Sequence, residues 1–201
     1  METIIQSPLT KALEKAISYN AYRELVTNLV AEGKSTGPEQ TEALLNYSTL
    51  NDRRMKRLAK TIKLSEETKQ KVTNFKGNLT WLVLTESWCG DAAQTMPAMD
   101  KLAALTEKID LKVVLRDENL DLMDQYLTNG GRSIPKLIAI DNNTEKVVGT
   151  WGPRPTNATK MVNDFKDVNG ALTPEFKQDL QVWYNKDKGQ DTIKDLLELL
   201  K

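Results

Sequence analysis

The chain contains a single cysteine, Cys89, and no histidine, and these two facts bound its chemistry before any fold is considered. Without histidine there is no Ser–His or Cys–His pairing, and the commonest zinc ligand and the usual base near neutral pH are missing. Acid–base work would fall to carboxylates, lysines, tyrosines or the thiol itself. One cysteine also excludes an intramolecular disulfide, and with it the stapled framework of small secreted domains.

The surroundings of Cys89 say what its thiol could do. Trp88-Cys89-Gly90-Asp91 follows a short apolar run, Leu79 to Thr85 (LTWLVLT), and precedes a helical spacing of Met96, Met99, Leu102 and Leu105. The run has the length and composition of a strand buried on both faces. The cysteine therefore stands where a buried strand hands over to a helix. The first helical turn offers unpaired N–H groups and partial positive charge, which favour the thiolate, the nucleophilic form. Ligands of open α/β sheets also gather at such corners. Asp91 acts in the opposite direction, because a carboxylate beside a thiol disfavours its ionisation. Each effect is worth on the order of 1 kcal/mol, so the sequence leaves the pKa of Cys89 open. Asp91 serves equally well as an acid stabilising the first turn of the helix.

The elements that hold this corner follow from periodicity. Residues 1–75 read as helices: Leu13, Ile17, Ala21, Leu25 and Leu29 share one stripe, Gly33 to Gly37 form a polar linker, and Pro38 suits a helix start. Leu44, Tyr47, Met55, Leu58 and Ile62 mark a second helix, and Ser65 with Glu66 and Glu67 begins a third. After the strand at 79–85 and its helix, strands are expected at 111–115, 136–140 and 146–151, the last two joined as a hairpin through Asp141-Asn142-Asn143. Helices are expected at 120–128, 155–168, 173–186 and 190–200. The order is α/β, with a mixed four-stranded central sheet flanked by helices.

With these elements in place, the sequence resembles the thioredoxin superfamily. Trp88-Cys89-Gly90 matches the start of that family's active-site motif. Pro97 takes the place of its helix-kinking proline, Arg132-Ser133-Ile134-Pro135 resembles the segment carrying its cis-proline, and Gly152, after the fourth strand, matches the family glycine that lets backbone approach the active site. The resemblance implies a thioredoxin-like fold with Cys89 as the catalytic thiol. It further implies a substrate groove lined by Trp88, Gly90, Asp91, Ile134, Pro135 and Gly152, with no metal and no cofactor. Residues 1–75 would form a helical N-terminal extension packed on a thioredoxin-like domain of residues 76–201, which carries a C-terminal helical extension from about residue 170. The departures are chemical. Ala92 stands where the family has its second cysteine, Asp91 where thioredoxin has proline, and Val83 where thioredoxin has a buried acid. Dithiol reduction is not expected.

Two functions remain from these residues. The favoured one is thiol-dependent redox chemistry, with Cys89 forming mixed disulfides that an external thiol resolves; its partners would be protein or small-molecule thiols and disulfides. The other is a non-catalytic peptide- or protein-binding module. A single-cysteine glutaredoxin-like role with glutathione or a shared iron–sulfur cluster is disfavoured by the motif Cys-Gly-Asp-Ala. The chain has 28 basic and 28 acidic residues, so no global field favours nucleic acid or an anionic membrane. The basic cluster Arg53, Arg54, Lys56 and Arg57 reads as a solvated helix face, and Arg116-Asp117-Glu118 could bring charge to the active-site end of the sheet. The first residues lack a signal-peptide pattern and no stretch reaches the roughly 18 apolar residues of a membrane span, which makes the cytoplasm the expected location. The sequence does not indicate an oligomeric state.

Overall fold

A computed structural model describes residues 7–200. The apolar stripe from Leu13 to Leu29 crosses a break that periodicity conceals. Helix α1 (Pro8–Lys15) ends at Ala16, which is extended, Ile17–Ser18 form a two-residue strand β1, and Ser18 Oγ then caps α2 (Tyr19–Ala31). The next helix does not start at Pro38. Gln40 folds back on the linker, accepting from Ser35 N and donating to Ser35 O and Gly37 O, so α3 (Glu42–Thr61) begins only after Thr41, whose hydroxyl caps it. Ser65 caps α4 (Glu66–Thr73), as its position before two acids implies.

The central strands lie where the apolar runs place them: β2 (Leu79–Thr85), then helix α5 (Gly90–Ala103), then β3 (Ile109–Leu115). A 3₁₀ turn at Arg116–Glu118 leads to α6, which covers only Leu120–Met123, since residues after it close i→i+3 turns instead of continuing the helix. Strands β4 (Lys136–Asp141) and β5 (Lys146–Trp151) form the expected hairpin. Helices α7 (Thr156–Asn169), α8 (Pro174–Asp187) and α9 (Gln190–Leu197) complete the chain.

The sheet order is β1-β3-β2-β4-β5, five strands where periodicity predicts four. β2 runs parallel to β3 and antiparallel to β4. The added strand is β1, which pairs antiparallel with Lys112 and Val113 at the edge of β3. Two residues are too few to produce an alternating signal.

Two apolar clusters hold the molecule together. The large one joins Trp81, Leu82, Val83 and Leu84 of β2 to Ala12, Tyr22, Val26 and Met55 of the N-terminal helices, Met96 and Met99 of α5, and Ile193 and Leu196 of α9. The small one consists of Ala158 and Val162 of α7 with Phe176, Leu180 and Tyr184 of α8. Within it, Phe165 stacks on Phe176 at 4.2 Å. Among the described residues no helix is long and apolar enough to cross a membrane.

Candidate functional site

Cys89 is the N-cap of α5. Its φ and ψ of −77° and 113° are non-helical, and its Sγ accepts from Ala92 N at 3.4 Å, a task usually given to Ser, Thr, Asp or Asn. The helix terminus thus presents an N–H to the sulfur. The thiol itself donates to Ile134 O at 3.2 Å, and Cys89 is buried. Burial pushes the thiol up to about 12, and the charge of Asp91 adds to this against the Ala92 and Asp91 amides and Arg154. The competition left open by the sequence is settled by desolvation. The raised value favours an uncharged S–H at neutral pH, its proton directed at the Ile134 carbonyl.

The wall beside the thiol is built from the β4 entry. The Ile134–Pro135 and Gly152–Pro153 peptide bonds are cis. Gly152, at φ +112°, lies so close to this wall that a Cβ on it would overlap Pro135 O, so only glycine fits. This packing draws the chain after β5 across the site and delivers Arg154 to it.

Arg154 meets Asp91 there. Its Nη2 lies 2.7 Å from Asp91 Oδ2, and Tyr184 Oη donates to Asp91 Oδ1 at 2.9 Å from α8. Burial pushes the Asp91 carboxyl up, against the pull of Arg154 and the Tyr184 hydroxyl. On the same side Gln94 Nε2 donates to Gln181 Oε1 at 3.0 Å, and Arg57 of α3 donates to Asn185 Oδ1 at 2.6 Å. A Cβ on Gly90 would stand 3.6 Å from Arg54 Nη1 and 3.8 Å from Gln181 Nε2. The start of α5 is therefore roofed by α3, α8 and Arg154.

The turn before Cys89 is held by a buried polar network. Ser87 Oγ accepts from Thr36 N at 3.0 Å and bonds Ser48 Oγ at 2.7 Å; Ser87 N donates to Thr36 Oγ1 at 2.8 Å, and Asn51 Nδ2 donates to Ser87 O at 2.9 Å. Glu86 is fully buried. Its Oε1 accepts from Asp117 N at 2.9 Å, and burial raises its pKa against the nearby Thr36 hydroxyl and the Asp117 amide. Half-buried Trp88 is covered by the Arg116 guanidinium, 4.9 Å from its ring.

The structure thus brings together Trp88, Cys89, Gly90, Asp91, Ile134, Pro135 and Gly152, and it joins Arg116 to them. Arg54, grouped by sequence with a solvated face, is half-buried near Asp91 and is lowered in pKa chiefly by burial. Sequence reasoning missed Arg154 and Glu86, and it read Tyr184 as core or groove lining on an amphipathic helix without its bond to Asp91. Arg154 had a signal: it lies two residues after Gly152, which is fixed against Pro135. Glu86 is a charged residue directly following a mostly apolar, buried strand. Tyr184 had none, since its partner is 93 residues away.

Comparison with known proteins places these observations in one family. A family model described as thioredoxin matches residues 37–166, which include every site residue named above except Tyr184, Gln181, Asn185 and Thr36. No curated protein matches the chain. The fold is shared with the 1.5 Å crystal structure of a protein of unknown function from Pseudomonas aeruginosa, which is 19% identical with a TM-score of 0.57, covering 91% of this chain and 96% of that one. An HIV epitope scaffold is similar at 17% identity and a TM-score of 0.56, covering 91% of this chain and 97% of that one. At such identities the likeness speaks for the fold alone. The match of the family model over most of the chain, on a sheet and a Trp-Cys-Gly corner of the right order, assigns the chain to the thioredoxin family.

Proposed function

We propose that this chain is a non-reducing member of its family that works by binding a protein partner and not by thiol turnover. The observation that carries this reading is the state of Cys89: buried, protonated and bonded to Ile134 O. Burial pushes the thiol up to about 12, so thiolate at pH 7 is far scarcer than the few per cent of an ordinary cysteine. Ala92 supplies no resolving thiol and Val83 no proton acceptor, so three parts of a reductase cycle are missing together. Trp88 and the Arg116 guanidinium over its ring are both half-buried at the site, and an aromatic–cation surface of this kind suits recognition of a protein partner.

On this reading the described part of the 1–75 segment is an extension packed on the domain that begins at residue 76, an arrangement supported by the apolar cluster shared by Tyr22, Met55 and Trp81; residues 1–6 and 201 lie outside the described residues. A lone reduced thiol also suits a reducing compartment such as the cytoplasm.

A second reading, monothiol exchange through mixed disulfides, is favoured by the Ala92 amide aimed at Sγ. Alkylation of Cys89 by iodoacetamide across pH 6–11 separates the two. The binding reading expects a rate at pH 7 at least a hundredfold below that of a free thiol, still rising tenfold per unit above pH 10. A plateau below pH 8 would establish exchange. The same pKa has a thermodynamic counterpart. Raised in the folded state, Cys89 contributes stability that is complete below its unfolded value near 9 and drains away as pH climbs toward 12, at about 1.4 kcal/mol per unit. Cys89→Ala removes that part of the alkaline slope in urea titrations.

A further inference from the structure

Four arginines pair with an aspartate: Arg23 with Asp52, Arg116 with Asp117, Arg132 with Asp124 and Arg154 with Asp91. Arg53, Arg54 and Arg57 of α3 form no salt bridge among the described residues. Arg53 with Arg57 and Arg54 with Arg57 place like charges one helical turn apart, a spacing that destabilises the helix. Arg54 is the most constrained of the three. It is half-buried, burial and Arg57 both act against its charge, and the acid acting for it, Asp91, is already held by Arg154 and Tyr184. Its Nη1 donates to Asn51 Oδ1 at 2.9 Å, and its other N–H groups have no partner among the described residues yet are not sealed from solvent. Arg57 is exposed and donates to Asn185 Oδ1. A partly desolvated guanidinium with open donors and no carboxylate of its own is fitted to receive one.

The same strip of α3 carries apolar surface. Tyr47, Leu50, Arg54 and Arg57 follow one another at steps of three and four residues, and Tyr47 and Leu50 are 57% and 43% exposed. The adjoining face ties α3 to the site: Ser48 Oγ and Asn51 Nδ2 bond Ser87, and a Cβ on Gly90 would stand 3.6 Å from Arg54 Nη1. The strip therefore runs along the turn that carries Trp88 and Cys89, apolar at Tyr47 and Leu50 and cationic at Arg54 and Arg57. We propose that it binds an acidic segment of a protein partner, with an apolar side chain on Tyr47 and Leu50 and carboxylates on Arg54 and Arg57; this rests on the protein-binding reading and names the partner's chemistry. From Tyr47 to Arg54 the helix rises about 10 Å, which an extended chain covers in about three residues. Nucleic acid is a poorer occupant, because it calls for phosphate contacts along a broad basic face, and Lys56 of the same helix is bound to Asp52.

The test titrates the full chain with the peptide acetyl-Leu-Phe-Ser-Gly-Glu-Asp-amide, followed by calorimetry and amide chemical shifts. Saturable binding is expected, with shifts centred on residues 47–57, 87–91 and 181–185, and it weakens severalfold as salt is raised. Arg54→Gln with Arg57→Gln weakens the peptide at least tenfold and Tyr47→Ser with Leu50→Ser severalfold, while Lys146→Gln, an exposed cation on β5, leaves it unchanged. A peptide with Gln and Asn in place of its two acids binds the natural chain at least tenfold more weakly, which decides the matter even if a variant fails to fold. No saturation, shifts centred elsewhere, equal binding of the Gln/Asn peptide, or tighter binding of a short oligothymidylate overturns the proposal. Cys89 alkylation is read separately: a plateau below pH 8 removes the non-reducing reading, whereas slow alkylation with no peptide binding removes only the acidic partner.

Discussion

The large and small apolar clusters differ in what they do for Cys89. The large one is continuous from Ala12 to Leu200 and carries the floor of the site: β2, the turn at 86–88 and the start of α5. The small one joins only α7 and α8, and it reaches the site through side chains, Tyr184 to Asp91 and Gln181 to Gln94. Cys89 itself belongs to the large cluster, as does Ile134, whose carbonyl covers the thiol, while the small cluster covers the neighbouring Asp91–Arg154 pair. Contacts confined to α7 and α8 can open locally without global unfolding.

The largest expected contrast tests that division directly. Leu82→Ala, at a fully buried position of β2, should cost about 3 kcal/mol and lower the whole unfolding transition. Leu180→Ala removes the same groups from the small cluster. It should cost about 1–2 kcal/mol, seen as lost hydrogen-exchange protection over 174–187 and faster Cys89 alkylation. Equal, global effects from both would show that the two clusters behave as one.

Arg154→Ala comes next. It leaves Asp91 buried with its main countercharge gone, which should cost about 3 kcal/mol. Asp91 is already raised by burial and rises further without Arg154, so the loss is greatest where the carboxylate is ionised and shrinks as pH falls and it takes up a proton. Urea denaturation at pH 7 and pH 4 reads the difference. A pH-independent loss would mean that Arg154 acts through packing alone.

Tyr184→Phe is the smallest change. It keeps the ring in the small cluster and deletes one hydrogen bond to Asp91, costing about 1 kcal/mol. Thermal unfolding checks the size, and a twofold to fivefold rise in Cys89 alkylation would tie that hydroxyl to the roof.

Much of the large cluster and little of the small one could be read from the sequence. Leu79 to Thr85 is nearly continuous in apolar residues because most of β2 is buried on both faces, a local constraint visible in a short window. Trp88, Pro97, Pro135 and Gly152 were legible through the resemblance to a family motif spread along the chain. The roof is different. Asp91, Arg154 and Tyr184 come from α5, the approach to α7, and α8, and nothing in the pattern of any one of them announces the others. Val182 and Trp183 beside Tyr184 make α8 look like any amphipathic helix. The thiol's pKa was illegible for the same reason, because it depends on desolvation by elements far away in the chain. The strand at Ile17–Ser18 was missed because a stripe of Leu13, Ile17 and Ala21 is the same whether the helix runs through or breaks.

The hydrogen bond from Cys89 to Ile134 O also governs how this protein ages in air. The first rung of sulfur oxidation needs a thiolate and an open approach for the oxidant. Here the proton is retained, and the direction in which it points is filled by the backbone of the residue before Pro135. An oxygen or second sulfur added there must push that carbonyl aside. With no other cysteine in the sequence, a disulfide between two copies would have to form at this same closed point.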